Sequence, residues 1–91
     1  MVVVALALPF LAAAQADAGT LETVRSRGVL LCGVNEGLPG FSISNAEGEW
    51  SGIDVDLCRA VAAATLGDAN AVTFIPLTAR DRFPALRAGE V

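Results

Sequence analysis

The chain has 91 residues, of which 54% are hydrophobic, and it carries ten acidic residues against six basic ones, all arginine, for a net charge of −4. This length allows one small domain at most. The absence of histidine and the count of two cysteines exclude a histidine-assisted nucleophile, a histidine metal site and a four-thiolate zinc centre. The acidic balance excludes nucleic acid as an expected partner, because phosphate contacts need a clustered basic surface.

Much of the apolar excess lies at the N-terminus. Residues 1–16 hold fourteen apolar residues and no charge, and the remaining 75 residues have an ordinary apolar content of about 47%. The uncharged run is too short for a membrane span of roughly 20 residues, and it ends in the A-x-A cleavage pattern Ala14-Gln15-Ala16. We expect residues 1–16 to be a secretory signal peptide that lacks its positive n-region, with a buried N-terminal helix as the alternative.

A short helix and a buried strand are predicted next. Thr20 is the expected N-cap of a helix over 21–27 that ends at Gly28. Residues 29–34 then form a continuous apolar run of strand length, a pattern typical of a parallel strand that is covered on both faces. We therefore expect this strand to lie in the middle of a sheet.

A glycine- and proline-rich loop over 35–40 and a small hairpin follow. Residues 41–44 alternate briefly, and the turn-forming residues 45–48 predict a return strand through Trp50.

The clearest helix is predicted over 52–67, with Asp54 as a cap at its start and Gly67 at its end. One apolar stripe at three- and four-residue spacing predicts its packed face: Ile53, Leu57, Val61 and Ala64 or Thr65, widened by Cys58 and Ala62.

The last predicted elements are a strand over 71–77 and a helix that begins at Thr78 or Asp81. Pro84 favours the later start, because proline is tolerated in the first turn of a helix but not in its interior. The order strand, helix, strand, helix predicts a βαβα unit with a parallel sheet and right-handed crossovers. Such a sheet needs more strands than two, since two strands leave both edges open.

The two cysteines are placed where they can meet. If alternate residues of the first strand face the long helix, Cys32 lies opposite Cys58, and an exported protein enters an oxidising compartment. We favour a disulfide over two buried free thiols. Closing this 27-residue loop would stabilise the fold by roughly 3 kcal/mol.

Three segments in order carry a resemblance to a known family: GVNEGLPGFS at 33–42, GEWSGIDVDLCRAVA at 48–62 and RFPALRAGEV at 82–91. They resemble the N-terminal lobe of the family 3 solute-binding proteins, the periplasmic receptors of polar amino acid ABC transporters, and most of all the general L-amino-acid-binding receptors. The resemblance implies an α/β fold in which residues 17–91 are the incomplete first lobe of a bilobal, type II periplasmic binding protein.

The resemblance also implies a function. A monomer without metal or other cofactor would capture L-amino acids in the periplasm and deliver them to the membrane subunits of an ABC permease, without catalysis. In the family the loop after the first strand lines the ligand cleft, which makes Asn35 and Leu38 the expected ligand-contacting residues, with Phe41 in the core. The alternative for Asn35 is a turn residue that bonds its own backbone.

Other family residues would follow Val91. The arginine that clamps the ligand α-carboxylate and the acid that holds the α-amino group both belong there, so we expect an incomplete fragment that does not bind amino acids appreciably alone. The alternatives are a bilobal enzyme resembling cyclohexadienyl dehydratase and the sensor domain of a signalling protein. Asp54 and Asp56 are interpreted as acids that complement a helix start rather than as a catalytic pair.

Overall fold

The computed structural model describes residues 2–3 and 19–91, so the predicted signal peptide lies almost wholly outside the described residues. Within these ranges, no helix is long and apolar enough to cross a membrane. Eight elements follow in chain order: α1 (Thr20–Arg27), β1 (Leu30–Val34), β2 (Gly37–Leu38), β3 (Ser42–Ser44), β4 (Trp50–Ser51), α2 (Ile53–Leu66), β5 (Val72–Pro76) and α3 (Arg82–Arg87).

The first helix begins one residue earlier than predicted. Gly19 is the N-cap, no side chain caps this end, and the Gly19 carbonyl accepts the N–H of Thr23 at 3.1 Å. The assignment of Thr20 as the cap was therefore wrong, because the extended backbone of Gly19 already starts the helical hydrogen bonds. The predicted end is confirmed: Gly28 is left-handed, and its N–H bonds the carbonyl of Val24.

The main sheet is parallel, as predicted. β1 pairs with β5 from Leu30 opposite Val72 to Val34 opposite Pro76, and α2 is the connection between the two strands. Among the described residues, β5 is the one strand that pairs with β1. A central strand needs a partner on each of its edges, so the predicted central position of β1 stays a prediction.

The small antiparallel sheet has the order β2-β3-β4. The predicted hairpin is confirmed by the pairing of Ser44 with Trp50 around a turn over 45–48. The extra strand β2 lies inside the predicted loop. Its two residues, Gly37 and Leu38, are too few to produce an alternating pattern in the sequence.

Helix α2 packs with a face that overlaps the predicted one only in part. Cys58 contacts β1 and Ala62 is buried, as predicted. Val55 and Ala62 are both 0% exposed, whereas Ile53 and Leu57 are 63% and 64% exposed. The residues at 55, 58 and 62 share a helical spacing just as those at 53, 57 and 61 do. The helix is apolar on most of its surface, so periodicity alone could not predict which face is buried. The contact of α2 with β1 and β5 determines the buried face.

The start of α2 also differs from the prediction. Gly52 is the N-cap, and Asp54 lies in the first turn without a side-chain cap hydrogen bond. The capping assignment of Asp54 was therefore wrong. Its position still places negative charge where the helix dipole favours it.

Helix α3 takes the later of the two predicted starts. Asp81 is its N-cap position, and Pro84 falls in its first turn, where the missing N–H has no helical partner to lose.

An open apolar groove of about 540 Å³ lies between α1, α2 and β1. Leu57 and Val61 of α2 reach it, and so does Leu86 of α3. All three side chains are more than a third exposed. The groove is an uncovered part of the apolar interior, since it lacks the convergent polar groups of a ligand pocket and includes neither Asn35 nor Leu38.

Candidate functional site

The carboxyl ends of β1 and β5 meet at one edge of the main sheet, where Val34 lies opposite Pro76. Ligands of open α/β sheets bind outside the carboxyl ends of the strands. The two segments that leave this edge are 35–41, which contains both predicted ligand-contacting residues, and 77–81. These two loops form the candidate ligand-binding site.

Asn35 leaves the end of β1 in a turn that its own side chain closes. Its Oδ1 accepts the backbone N–H of Gly37 at 3.0 Å, and its backbone carbonyl accepts the hydroxyl of Ser42 at 2.7 Å. These contacts agree with the alternative interpretation of Asn35 as a turn residue whose side chain bonds the nearby backbone. The side-chain amide hydrogens on Nδ2 are the polar group that Asn35 has to offer a ligand.

Leu38 and Phe41 stand at the two ends of a tight turn. The N–H of Phe41 donates to the Leu38 carbonyl at 3.0 Å. Leu38 is 43% exposed, so it has apolar surface to present at this edge. Phe41 is 49% exposed, and the expectation that it belongs to the core was wrong, because it lies in the turn between β2 and β3 and not on a packed strand face.

The N-terminus of α2 is closed by carbonyl groups of the same loop. The N–H groups of Ile53 and Asp54 donate to the carbonyls of Gly40 and Phe41, both at 3.0 Å. Free amides at a helix start attract anions, but these two already have partners. They therefore fix the loop to the helix and are not free to hold a ligand carboxylate.

The loop after β5 is short and internally bonded. The N–H of Leu77 donates to the Val34 carbonyl at 2.7 Å, which continues the ladder between β1 and β5. The Thr78 hydroxyl donates to the Asp81 carboxylate at 2.8 Å, and the Asp81 N–H donates to the Thr78 carbonyl at 3.1 Å. Exposed Arg80 is thus carried on a closed turn at the candidate site.

Cys32 and Cys58 form a disulfide that joins β1 to α2. Their Cα atoms are 6.3 Å apart, within the usual range of about 4.4–6.8 Å. Strand and helix meet through these two side chains as the sequence predicted. The bond holds α2 against the strand whose carboxyl end begins the candidate loop.

A cluster around Arg59 ties the small sheet to the main one. Its Nη2 donates to the Trp50 carbonyl at 3.1 Å, and its guanidinium carbon lies 5.6 Å from the centroid of the Phe74 ring. The Trp50 and Phe74 rings are themselves 5.9 Å apart. Arg59 therefore links α2, β4 and β5, and through β4 it supports the sheet that carries Leu38.

We expect Arg59→Ala to lower the free energy of unfolding by about 1 to 2 kcal/mol, since it removes a hydrogen bond and a cation–π contact at a partly exposed site. Arg59→Lys should recover little of this loss, because an ammonium group does not reproduce the planar guanidinium. Urea unfolding followed by circular dichroism measures the change. Arg82→Ala is the control, because Arg82 is exposed and forms no hydrogen bond or ion pair within residues 19–91. An equal loss of stability in both variants would contradict the role of Arg59 as the link between α2, β4 and β5.

Sequence reasoning missed Ser42, Gly52 and Arg59, which hold the candidate loop in place. Ser42 and Arg59 act through contacts across seven and nine residues of sequence, and no local pattern marks them. Gly52 offered a signal, since it directly precedes an acidic helix start.

The parallel βαβ unit and the loops at its carboxyl edge define part of an α/β ligand-binding lobe. Residues 30–91 match the bacterial extracellular solute-binding proteins, family 3. The chain belongs to this family, and the resemblance drawn from the sequence is confirmed.

Two characterised relatives and one solved structure are similar to most of the chain. It is 52% identical over 85 residues to the glutamate/glutamine/aspartate/asparagine-binding protein of Rhodobacter capsulatus, covering 93% of this chain and 25% of that protein. It is 48% identical over 79 residues to the general L-amino acid-binding periplasmic protein of Rhizobium johnstonii, covering 87% and 23%. The periplasmic binding protein of an ABC transporter from Brucella ovis, with glutathione bound, is 58% identical at a TM-score of 0.77, covering 81% and 23%.

The chain therefore spans about a quarter of the length of these relatives. The α/β fold predicted from the sequence is confirmed by the structural match.

Proposed function

We propose that this chain is the N-terminal part of the substrate-binding component of an amino acid ABC transporter, which captures L-amino acids and delivers them to the permease. The observation that carries the proposal is the family match over residues 30–91, which includes both loops of the candidate site. Two relatives that are about half identical to the chain are named as amino-acid-binding proteins.

Asn35 and Leu38 are the ligand-contacting residues of this proposal. Asn35 donates its Nδ2 hydrogens to an acceptor on the ligand, and Leu38 packs its exposed side chain against the apolar part of the ligand. A neutral amide discriminates weakly between side chains, so a broad or neutral-polar specificity fits this loop. The first amides of α2 do not clamp the ligand α-carboxylate in this proposal, because they are occupied by the carbonyls of Gly40 and Phe41.

The proposal assigns no catalytic step to the protein. Asp54 and Asp56 lie two residues apart on one helix, and residues at this spacing do not face each other. Asp56 is exposed and pairs with Arg59 at 3.8 Å, which is an ordinary surface contact. These two carboxylates therefore do not make an acid–base pair, and the ligand is released unchanged.

Export places the protein in the periplasm, as a monomer that meets the membrane subunits of the permease. Residues 1–16 act as the cleaved signal peptide and residues 17–91 belong to the first lobe. The family description, extracellular solute-binding proteins, and the periplasmic relative of Rhizobium johnstonii support this location.

Calorimetric titration with single L-amino acids tests the proposal. The product of the complete gene, with whatever residues it encodes after Val91, should bind at least one of glutamate, glutamine, aspartate and asparagine saturably at one site. Glutathione is included because of the Brucella ovis structure. Residues 19–91 alone should give no saturable heat, because two loops of one partial lobe cannot enclose a ligand.

Three results would contradict the proposal. Saturable binding by residues 19–91 alone would show that the candidate loops need nothing more. Conversion of the ligand, detected by mass spectrometry after incubation with the complete product, would favour the enzyme alternative. Failure of the complete product to bind any of these ligands would contradict the capture of amino acids.

A further inference from the structure

Ser42 is a fully buried polar residue at the candidate site. It is 0% exposed, and its hydroxyl donates to the backbone carbonyl of Asn35 at 2.7 Å. In the ladder between β2 and β3, Ser42 lies directly opposite Leu38. One residue therefore contacts both positions that are proposed to meet the ligand.

We propose that Ser42 is a positioning residue for ligand binding: its buried hydroxyl holds Asn35, and through the strand pairing Leu38, in the binding arrangement. This inference rests on the proposed function, since it names the residue that sets the geometry of the same loop. Ser42 itself does not meet the ligand, because it has no exposed surface.

The loop is fixed through two hydrogen-bond acceptors of Asn35. The side-chain oxygen is held by the N–H of Gly37, and the backbone carbonyl is held by Ser42. Together the two hydrogen bonds set the direction in which the chain leaves β1, and they leave Nδ2 as the side-chain donor of Asn35.

Ser42 is in turn attached to rigid elements. Its neighbour Ile43 pairs with Ser51 on β4, and its other neighbour Phe41 accepts the N–H of Asp54 at the start of α2. The hydroxyl of Ser42 therefore transmits the position of α2 and of the small sheet to Asn35. Binding residues are held accurately when their supporting contacts lie on such packed elements.

Loss of the Ser42 hydroxyl removes the hydrogen-bond donor of the Asn35 carbonyl. The loop then populates other arrangements. Apparent affinity falls in proportion to the fraction of molecules in the binding arrangement. We expect Ser42→Ala to raise the dissociation constant about three- to tenfold in protein that remains folded. Ser42→Cys keeps a weak donor in a similar volume. Its dissociation constant should therefore lie between those of the wild type and Ser42→Ala.

The experiment compares the product of the complete gene with its Ser42→Ala, Ser42→Cys and Ser44→Ala variants. Ser44 is the matched control, because it lies on the same strand, is exposed and has no side-chain hydrogen bond within residues 19–91. Calorimetry with the best-bound amino acid gives the affinity, and thermal unfolding gives the stability. Hydrogen exchange of peptides covering 35–38 reports the order of the loop in the ligand-free protein.

The expected result is weaker binding and faster exchange of 35–38 in Ser42→Ala, with Ser44→Ala unchanged in both. A lower midpoint of unfolding with unchanged affinity would overturn the inference and leave Ser42 a structural residue. An equal fall in affinity in Ser44→Ala would also overturn it. If Ser42→Ala does not fold, the same two criteria apply to Ser42→Cys.

Failure of the proposed function gives a different pattern. If the wild-type product binds no amino acid, amino acid capture is removed, whereas the exchange measurement still decides the loop. Faster exchange of 35–38 in Ser42→Ala would keep the positioning role for that loop, and equal exchange would overturn it.

Discussion

Gly52→Ala should lower the free energy of unfolding by about 3 kcal/mol or more, which is enough to unfold much of a small domain. Gly52 has φ +127° and ψ 171°, a backbone conformation that essentially only glycine adopts. A Cβ built at this position would also collide with the backbone carbonyl of Phe41. The backbone conformation and the steric collision both oppose the substitution, because the loop and the start of α2 approach each other closely at this residue.

Gly67→Ala is the control for this prediction. Gly67 also has a positive φ, +72°, but a Cβ there meets no atom within 4 Å. It should therefore lose only the left-handed backbone term, about 1 kcal/mol. Denaturant unfolding of both variants measures the difference, and equal losses would show that the contact with Phe41 does not restrict position 52.

Reduction of the Cys32–Cys58 disulfide should lower the free energy of unfolding by roughly 3 kcal/mol. The cysteines are 26 positions apart, and opening this loop restores conformational freedom to the unfolded chain. The loss is large for a small core, because the largest fully buried side chain within residues 19–91 is only Val55. Unfolding in urea with and without reductant gives the change directly.

The double variant Cys32→Ala/Cys58→Ala is the control, since its stability should match that of the reduced chain and should not respond to reductant. Alkylation and mass spectrometry of protein from an oxidising compartment should find no free thiol before reduction. Two alkylated cysteines in that sample, or a reductant effect of the same size in the double variant, would contradict the prediction.

Much of the fold could be predicted because its signals are local. The apolar run of β1, the glycines at 28 and 67 that end α1 and α2, and Pro84 in the first turn of α3 each report on a few neighbouring residues. Strand, helix and strand in this order then leave the right-handed parallel unit as the expected topology. The placement of Cys32 opposite Cys58 followed from the same reasoning.

The candidate site could be predicted only in part. The family resemblance pointed to the loop that contains Asn35 and Leu38, and the parallel sheet brings this loop and the loop after β5 to one edge. The contact of Ser42 with Asn35 and that of Arg59 with Trp50 could not be foreseen, because they depend on how the small sheet folds back onto α2.

The sequence by itself determined the order of the elements apart from the two-residue strand β2, the family and the loop where a ligand is expected, because these depend on short-range patterns and on motif wording. Only the tertiary structure decided that α2 buries Val55 and leaves Leu57 exposed, and that a serine fixes the loop. The physical reason is that an apolar helix offers several equivalent faces, and a hydroxyl acquires a role only from the carbonyl packed against it. Both choices are made by contacts between residues that lie far apart along the chain or on different elements.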